Sequence, residues 1–347
     1  MDGLDLALIR TDGEKIYNFG TSSFTPFSNA EREVLKRAVG KWQGARYVSE
    51  AATLIEEVHV KEINKYDADV VGFHGQTLAH DPINKRTHQV GSGEVISKLV
   101  QTPTVWDFRT MDVKQGGQGA PLTPFFHFAC ARFIQVKEVT AFLNLGGVGN
   151  ITIVNPNFDK PEDNGALLAF DTGPANAPID DIAYERLKKN YDSDGELALK
   201  GKVDQEVLWK FLSDDYFNLR PPKSLDRNSF WKFRKALSGL STYDAIATAT
   251  FACVESVKAS LVSLPVKPKK VLVTGGGRRN KTIMTALSEK LDVEVSTVDE
   301  YGLDGDMLEA QAFGFLAVRV LRGLYTSSTN TTGVSLPLSG GKVSYPN

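Results

Sequence analysis

Asp171 ends an apolar run and is followed at once by turn residues, in Ala169-Phe-Asp-Thr-Gly-Pro-Ala-Asn-Ala. A carboxylate carried to the lip of a loop can act as a general base or hold a metal; it can equally cap the helix that follows. Two glycine stretches stand in the same relation to strand-like runs. Asn144-Leu-Gly-Gly-Val-Gly-Asn-Ile-Thr sets Gly146, Gly147 and Gly149 between one strand and the next, a spacing that suits either a plain hairpin turn or a backbone cradle for an anion. Val271-Leu-Val-Thr-Gly-Gly-Gly-Arg-Arg-Asn sets Gly275, Gly276 and Gly277 between a strand and a helix start. That arrangement suits a nucleotide or phosphate, yet it is neither the dinucleotide fingerprint nor the P-loop pattern.

A second group of residues is polar and dense. Trp106-Asp-Phe-Arg-Thr-Met-Asp-Val-Lys-Gln-Gly-Gly-Gln-Gly-Ala-Pro-Leu carries Asp107, Arg109 and Asp112 into the glycines of 116–119, with surface ion pairing as the plain alternative. Gly72-Phe-His-Gly-Gln-Thr adds His74 and Gln76, which suit a polyhydroxy ligand; a lone His is more often structural, and no proton transfer is assigned to it. In Gly305-Asp-Met-Leu-Glu-Ala-Gln-Ala-Phe, Asp306 stands near a helix start and Glu309 three residues on, the spacing of a capping box. His59, His80, His88 and His127 lack metal-ligand spacing, and no Gly-x-Ser-x-Gly elbow is present.

The elements that must position these residues alternate between strand and helix. Leu4–Ile9, Val70–His74, Thr104–Phe108, Ala141–Leu145, Ile151–Val154, Leu167–Phe170 and Val271–Thr274 read as strands, Leu4–Ile9 as a buried one entered by an Asp2-Gly3 turn. Helical periodicity covers Ala30–Gly40, Ser49–Tyr66, Ala177–Asn190, Asp204–Asp215, Tyr243–Leu264, Lys281–Leu291 and Met307–Leu321. This is an α/β chain, in which loops at strand C-termini carry function. A lobe boundary is expected near Gln135, without a flexible spacer, and Thr326–Asn347 reads as loop or a loosely docked tail. At 347 residues with 40 basic and 42 acidic side chains, the chain has length for two domains and no basic face for nucleic acid. Cys130 and Cys253 are expected as buried free thiols. No uninterrupted apolar run reaches membrane-spanning length, so no membrane association and a cytoplasmic location are expected.

Seven ordered stretches, GFHGQTLAHDP, DFRTMDVKQGGQGAPL, NLGGVGNIT, FDTGPANAPIDD, PPKSLDRNSF, VTGGGRRN and GDMLEAQAF, together resemble the anhydro-N-acetylmuramic acid kinases of the sugar-kinase/Hsp70/actin superfamily, over nearly the whole chain. The resemblance implies a two-lobed actin-like ATPase, ribonuclease H-like fold with a nucleotide cleft between the lobes. Residues 1–134 with the helix 306–323 would form one lobe, and 135–305 the other. It implies phosphorylation of the sugar O6 by ATP while water opens the 1,6-anhydro bridge, in peptidoglycan recycling, with Mg2+ bridging the ATP phosphates and a homodimer as the assembly. Asp171 matches the catalytic aspartate. Gly146 and Gly147 match the second phosphate loop, and Gly275, Gly276 and Gly277 the adenosine-side loop. His74, Gln76, Asp107, Arg109, Gly117, Gly119 and Glu309 fall to the sugar.

Family members open with a strand leading into Gly-Thr-Met-Ser-Gly-Thr-Ser-x-Asp-Gly, the first phosphate loop. Met1, Asp2, Gly3 and Leu4 match its end, so the first strand and most of that loop are expected to be missing, through a start codon placed at an internal methionine or a real truncation. A real truncation would leave an inactive or unstable protein, and a non-catalytic nucleotide-binding protein is the alternative reading. Ala175 stands where the family more often has Gly, a strain if that position needs positive φ, and Gly149 where it often has Ala.

Overall fold

The computed structural model describes residues 2–225 and 229–346. Its contacts divide the chain into two compact units, one of residues 1–135, 160–164 and 307–347, the other of 136–159 and 165–306.

The first unit begins with a hairpin of β1 (Gly3–Thr11) and β2 (Ile16–Pro26), which starts by pairing Gly3 with Pro26. Gly3 therefore lies within the strand, where an added Cβ would meet the Thr25 carbonyl at 2.4 Å, and not in a turn. The turn is instead Asp12-Gly13, where Asp12 Oδ1 accepts from the N–H groups of Glu14 and Lys15 and Gly13 takes φ +82°. Next come α1 (Asn29–Ala38), opened by a Ser28/Glu31 capping box, and α2 (Val48–Ile63). Strand β3 (Val71–Phe73) is followed by the hairpin of β4 (Gln76–Asp81) and β5 (Arg86–Val90). Helix α3 (Gly93–Val100), capped by Ser92, leads to β6 (Thr104–Trp106), parallel to β3, then to α4 (Thr110–Lys114) and α5 (Pro124–Phe133). Leu35, Ile55, Phe73 and Ile96 lie at the centre of this unit's core.

The second unit is built on β7 (Thr140–Leu145), β8 (Val148–Val154) and β9 (Leu167–Pro174), an antiparallel meander. Helices α6 (Asn176–Leu187), α7 (Gln205–Leu212), α8 (Trp231–Ser238) and α9 (Thr242–Val262) follow, then β10 (Lys270–Thr274), α10 (Lys281–Lys290) and β11 (Glu294–Thr297). Strands β10 and β11 run parallel to β7, giving the order β11-β10-β7-β8-β9, the ribonuclease H-like sequence of a three-strand meander flanked by parallel strands. β7 is buried on both faces, as the central strand of such a sheet must be. Helix α9 is long and apolar enough to cross a membrane by length and composition alone, although Asp244, Glu255 and Lys258 interrupt its apolar run; thirteen of its residues, from Ala245 to Leu261, are buried.

The chain then returns to the first unit through α11 (Leu308–Leu321) and ends in β12 (Lys342–Ser344), antiparallel to β6. The tail is not loosely docked: Thr326, Ser327, Thr331, Thr332 and Val334 are buried, and Trp106 Nε1 donates to Ser344 Oγ at 3.0 Å. The strands of this unit form a β1-β2 pair and a separate β12-β6-β3 sheet. A cavity of about 820 Å³ is lined by Gly3–Thr11 of β1, by Val71–Phe73 of β3, and by side chains of α2 and α11. The unit's order is thus β2-β1, a slot, then β3-β6, which repeats the second unit's β9-β8-β7-β10-β11 with the slot at the place of β7. Leu4 is the one buried residue of β1, while Leu6, Ala7, Leu8 and Ile9 are half-buried along this open slot.

Candidate active site

In the second unit the polar motifs converge at the C-terminal ends of β7 and β10. Gly146 and Gly147 turn β7 into β8, and their carbonyls accept from the first turn of α6, Asn176 N–H to Gly146 at 2.9 Å and Ala175 N–H to Gly147 at 3.1 Å. Asn176 Nδ2 donates to the Leu145 carbonyl at 2.8 Å. Gly275 takes φ +76°, and a Cβ on it would lie 2.3 Å from Asn144 Oδ1; on Gly277 it would lie 2.5 Å from Leu145 Cβ. These two glycines are required by packing. Gly146, Gly147 and Gly276 are not: none has positive φ, and a Cβ on any of them meets nothing nearer than 3.5 Å. Glycine there leaves the backbone open to a close ligand.

Asp171 lies within β9, paired across the sheet with Asn150. It does not cap α6, whose N-cap is Ala175. Ala175 has φ −120°, so the positive φ that would favour glycine there is absent. A segment of 216–225 grips Asp171 on three sides. Leu225 N–H donates to Oδ2 at 2.7 Å, the Asp171 N–H donates to the Lys223 carbonyl at 3.0 Å, and the Tyr216 hydroxyl donates to the Asp171 carbonyl. Burial pushes the carboxyl up to about 6, with the Leu225 N–H opposing the rise. Leu225 and Gly147 line one small pocket, so the carboxylate's support and the glycine turn are neighbours. Sequence reasoning missed Asn144, Asn176 and Tyr216 as members. The first two lie inside the quoted motifs, whereas Tyr216 carries no signal in its own surroundings.

In the first unit, Arg109 is the hub. Its Nε donates to His74 Nε2 at 2.9 Å and its Nη1 to the Gly119 carbonyl at 2.8 Å. His74 is therefore neutral, with Nδ1–H directed to the Gly75 carbonyl at 2.8 Å. Burial first, then the Arg109 charge, pushes it down to about 3. Phe313 packs on the His74 ring at 4.4 Å. Glu309 lies on α11, whose N-cap Met307 makes no side-chain cap, so it is not a capping-box residue; its charge supports ionised Arg109. Glu309 and Gln76 both line the slot cavity, as do Gly3 and Leu4. Asp107 stands apart, with φ +54° and an ion pair to Lys342 of β12 at 2.9 Å. Gly119, at φ +68°, would bring a Cβ within 2.5 Å of Val113 Cγ2, and a Cβ on Gly117 would come 2.2 Å from Asp112 Oδ1. Asp306 belongs to the second unit, bonded by Arg278 at 2.8 Å and also by Arg279. Asp2 accepts from Phe27 N–H through its carbonyl, while Met1 lies outside the described residues, as do positions 226–228 of the PPKSLDRNSF stretch.

A family model described as anhydro-N-acetylmuramic acid kinase matches residues 1–346. The anhydro-N-acetylmuramic acid kinase of Roseobacter denitrificans is 51% identical over 347 residues, covering all of this chain and 92% of its own. That of Cereibacter sphaeroides is 50% identical over the same length and 94% of its own. Among solved structures, a ROK family glucokinase from Streptomyces griseus in complex with glucose and AMPPNP aligns over 91% of this chain and 97% of its own, at 12% identity and a TM-score of 0.42, too loose a likeness to carry an argument. A family model matched over residues 1–346 and full-length identity at this level make this chain a member of the anhydro-N-acetylmuramic acid kinase family.

Proposed function

We propose that this chain transfers the γ-phosphoryl group of ATP to O6 of 1,6-anhydro-N-acetylmuramic acid while water opens the anhydro bridge. Asp171 carries the reading: a half-buried carboxylate with its pKa raised to about 6 is ionised at neutral pH and yet basic enough to take a proton from water. Water attacks C1 and gives its proton to Asp171. The C1–O6 bond breaks, its electron pair staying on O6, which attacks the γ-phosphorus as the bond to ADP breaks, leaving N-acetylmuramic acid 6-phosphate. Gly146, Gly147 and Gly276 present backbone to the ATP phosphates, with Gly275 and Gly277 shaping the turn on the adenosine side. Arg109, His74, Gln76, Asp107, Glu309 and the 116–119 loop serve the sugar.

No three His, Cys, Asp or Glu converge among the described residues. That fits an Mg2+ carried mainly by phosphate oxygens and water, which when bound neutralises charge on the transferring group. The reaction is placed in the cytoplasm, where ATP is supplied, as part of cell-wall recycling by a homodimer. The slot between β1 and β3 is read as the place of a strand joined upstream of Asp2 and ending in a first phosphate loop, the counterpart of β7 and its Gly146-Gly147 turn.

The test is ADP release from ATP and 1,6-anhydro-N-acetylmuramic acid, with the 347-residue chain beside one extended upstream by the family's strand and loop. Turnover in the extended chain supports the reaction, and turnover confined to it supports the slot assignment. Two folded proteins without turnover overturn the reaction.

A further inference from the structure

The carboxylate of Asp112 is fully buried, and the sugar-side reading above gives it no task. Its Oδ1 accepts from Gly119 N–H at 2.7 Å, and its Oδ2 accepts from the hydroxyls of Ser327 and Thr332, each at 2.6 Å. Donors to an ionised acceptor make the short, strong class of hydrogen bond, and a buried carboxylate is tolerated only when such donors surround it. The carboxylate is therefore a bolt between two segments far apart in sequence, the glycine loop of α4 and the C-terminal tail. A backbone bond doubles the join, with Gln118 N–H on the Thr332 carbonyl at 2.7 Å. The tail is itself pinned. Gly340 N–H donates to Thr326 Oγ1 at 2.8 Å, Thr326 N–H to the Leu338 carbonyl at 2.8 Å, and Ser97 Oγ to the Ser344 carbonyl at 3.0 Å. On its other side the same loop is held by Arg109 at the Gly119 carbonyl and by His80 Nε2 at the Gln118 carbonyl, both at 2.8 Å.

We propose that the C-terminal tail, acting through Ser327 and Thr332 on Asp112, is the positioning element that fixes the 116–119 loop and thereby sets affinity for the sugar. The loop has φ of +88° at Gly116 and +68° at Gly119, and four-residue glycine-rich segments do not hold such a shape unaided. Arg109 grips the Gly119 carbonyl while the bolt grips the Gly119 N–H, so both polar groups of one residue are fixed by opposite walls. Loss of a tail hydroxyl leaves Asp112 short of a donor and frees the N–H side of the loop, while Arg109 and His74 stay in place.

The proposal rests on the reading that this loop serves the sugar, and the experiment separates the two. In Thr332→Val and, as a second variant, Ser327→Ala, the KM for 1,6-anhydro-N-acetylmuramic acid is expected to rise about tenfold, as for loss of one hydrogen bond to a charged group. The kcat and the KM for ATP are expected to stay within about threefold, and Thr332→Ser to restore the sugar KM. Amide exchange of the 115–120 segment, read by mass spectrometry without sugar, is expected to quicken in Thr332→Val and to be normal in Thr332→Ser. Unchanged exchange in both Thr332→Val and Ser327→Ala, or equal losses for sugar and ATP, overturns the proposal. If saturating sugar fails to slow exchange of this segment in the unaltered protein, the sugar-side reading falls and takes the affinity claim with it. The exchange difference between Thr332→Val and Thr332→Ser then still decides whether the tail holds the loop.

Discussion

Replacing Asp171 by Asn is expected to abolish turnover and to stabilise the protein, and the second effect depends on pH in a way that identifies its cause. Burial raises the carboxyl from 3.8 to about 6. The fold thus favours the protonated acid, and that favourable contribution is present below about pH 4 and lost as pH rises through about 6. At pH 7.5 the folded protein carries an ionised, desolvated carboxylate. The rise from 3.8 to about 6 sets the penalty at roughly 3 kcal/mol as an upper bound, since Asp171 is only half-buried and the Leu225 N–H already offsets part of it. An Asn keeps an acceptor for Leu225 without the charge. Urea unfolding should show Asp171→Asn about 1–3 kcal/mol more stable at pH 7.5, with the gain shrinking toward zero near pH 4. Loss of the general base should lower kcat at least about 100-fold, with the KM for ATP nearly unchanged. A variant less stable at pH 7.5, or a gain that does not vary with pH, refutes the desolvation argument, and retained turnover removes Asp171 from the base role.

The pH profile of kcat/KM should fall on the acid side with an apparent pKa near 6, belonging to Asp171 rather than to His74 at about 3; a His74→Gln variant that moves this limb would reverse the assignment. Gly147→Ala should leave the thermal midpoint within a degree or two and raise the KM for ATP about tenfold or more, whereas Gly275→Ala, with φ +76° and a 2.3 Å contact, should cost stability first, by about 1–3 kcal/mol. Equal behaviour of the two in calorimetry and kinetics would contradict the distinction between ligand-facing and packing glycines. Arg109→Lys keeps the charge but cannot hold both His74 Nε2 and the Gly119 carbonyl from one planar group, so the sugar KM should rise about tenfold while that for ATP holds.

What the sequence discloses here follows from range. Strands such as β7 and β10 are apolar on both faces and announce themselves, and α9 does so through twenty-one residues without Gly or Pro. Strand β2 escapes because Ile16–Pro26 is largely exposed and polar, and the β4-β5 hairpin for a like reason, its turn being set by a non-glycine residue, Lys85, at φ +55°. The tail misleads by composition. Its serines and threonines read as solvated loop, yet Thr332 and Ser327 are buried because their hydroxyls are spent on Asp112, some two hundred residues earlier. Tyr216 and Leu225 reach Asp171 across shorter gaps, 45 and 54 residues. Motifs show which chemistry is present, but a hydrogen bond spanning such a separation leaves no mark on either segment alone.

Strand β1 joins these threads, because its burial pattern is a consequence of what lies beside it. In the second unit β7 pairs with β8 on one side and β10 on the other, and five of its six residues are buried. In the first unit β1 pairs with β2 alone among the described residues, and β3 with β6 alone, so Leu6, Ala7, Leu8 and Ile9 remain half open to the cavity between them. A six-residue strand, the length of β7 and on the order of 20 Å, would satisfy both edges and cover these side chains. Completing the burial of three such aliphatic groups is worth about 1 kcal/mol each if half their surface is already covered, before any ladder hydrogen bonds. An upstream extension that enters the slot should therefore raise stability by several kcal/mol and slow amide exchange in both β1 and β3 together. Protection of β1 alone would mean a hairpin lying outside the slot. No change at either strand would mean that the cavity is not a strand site, and the correspondence with β7 would then fail on the point that gives it functional weight, the delivery of a second glycine turn to the nucleotide.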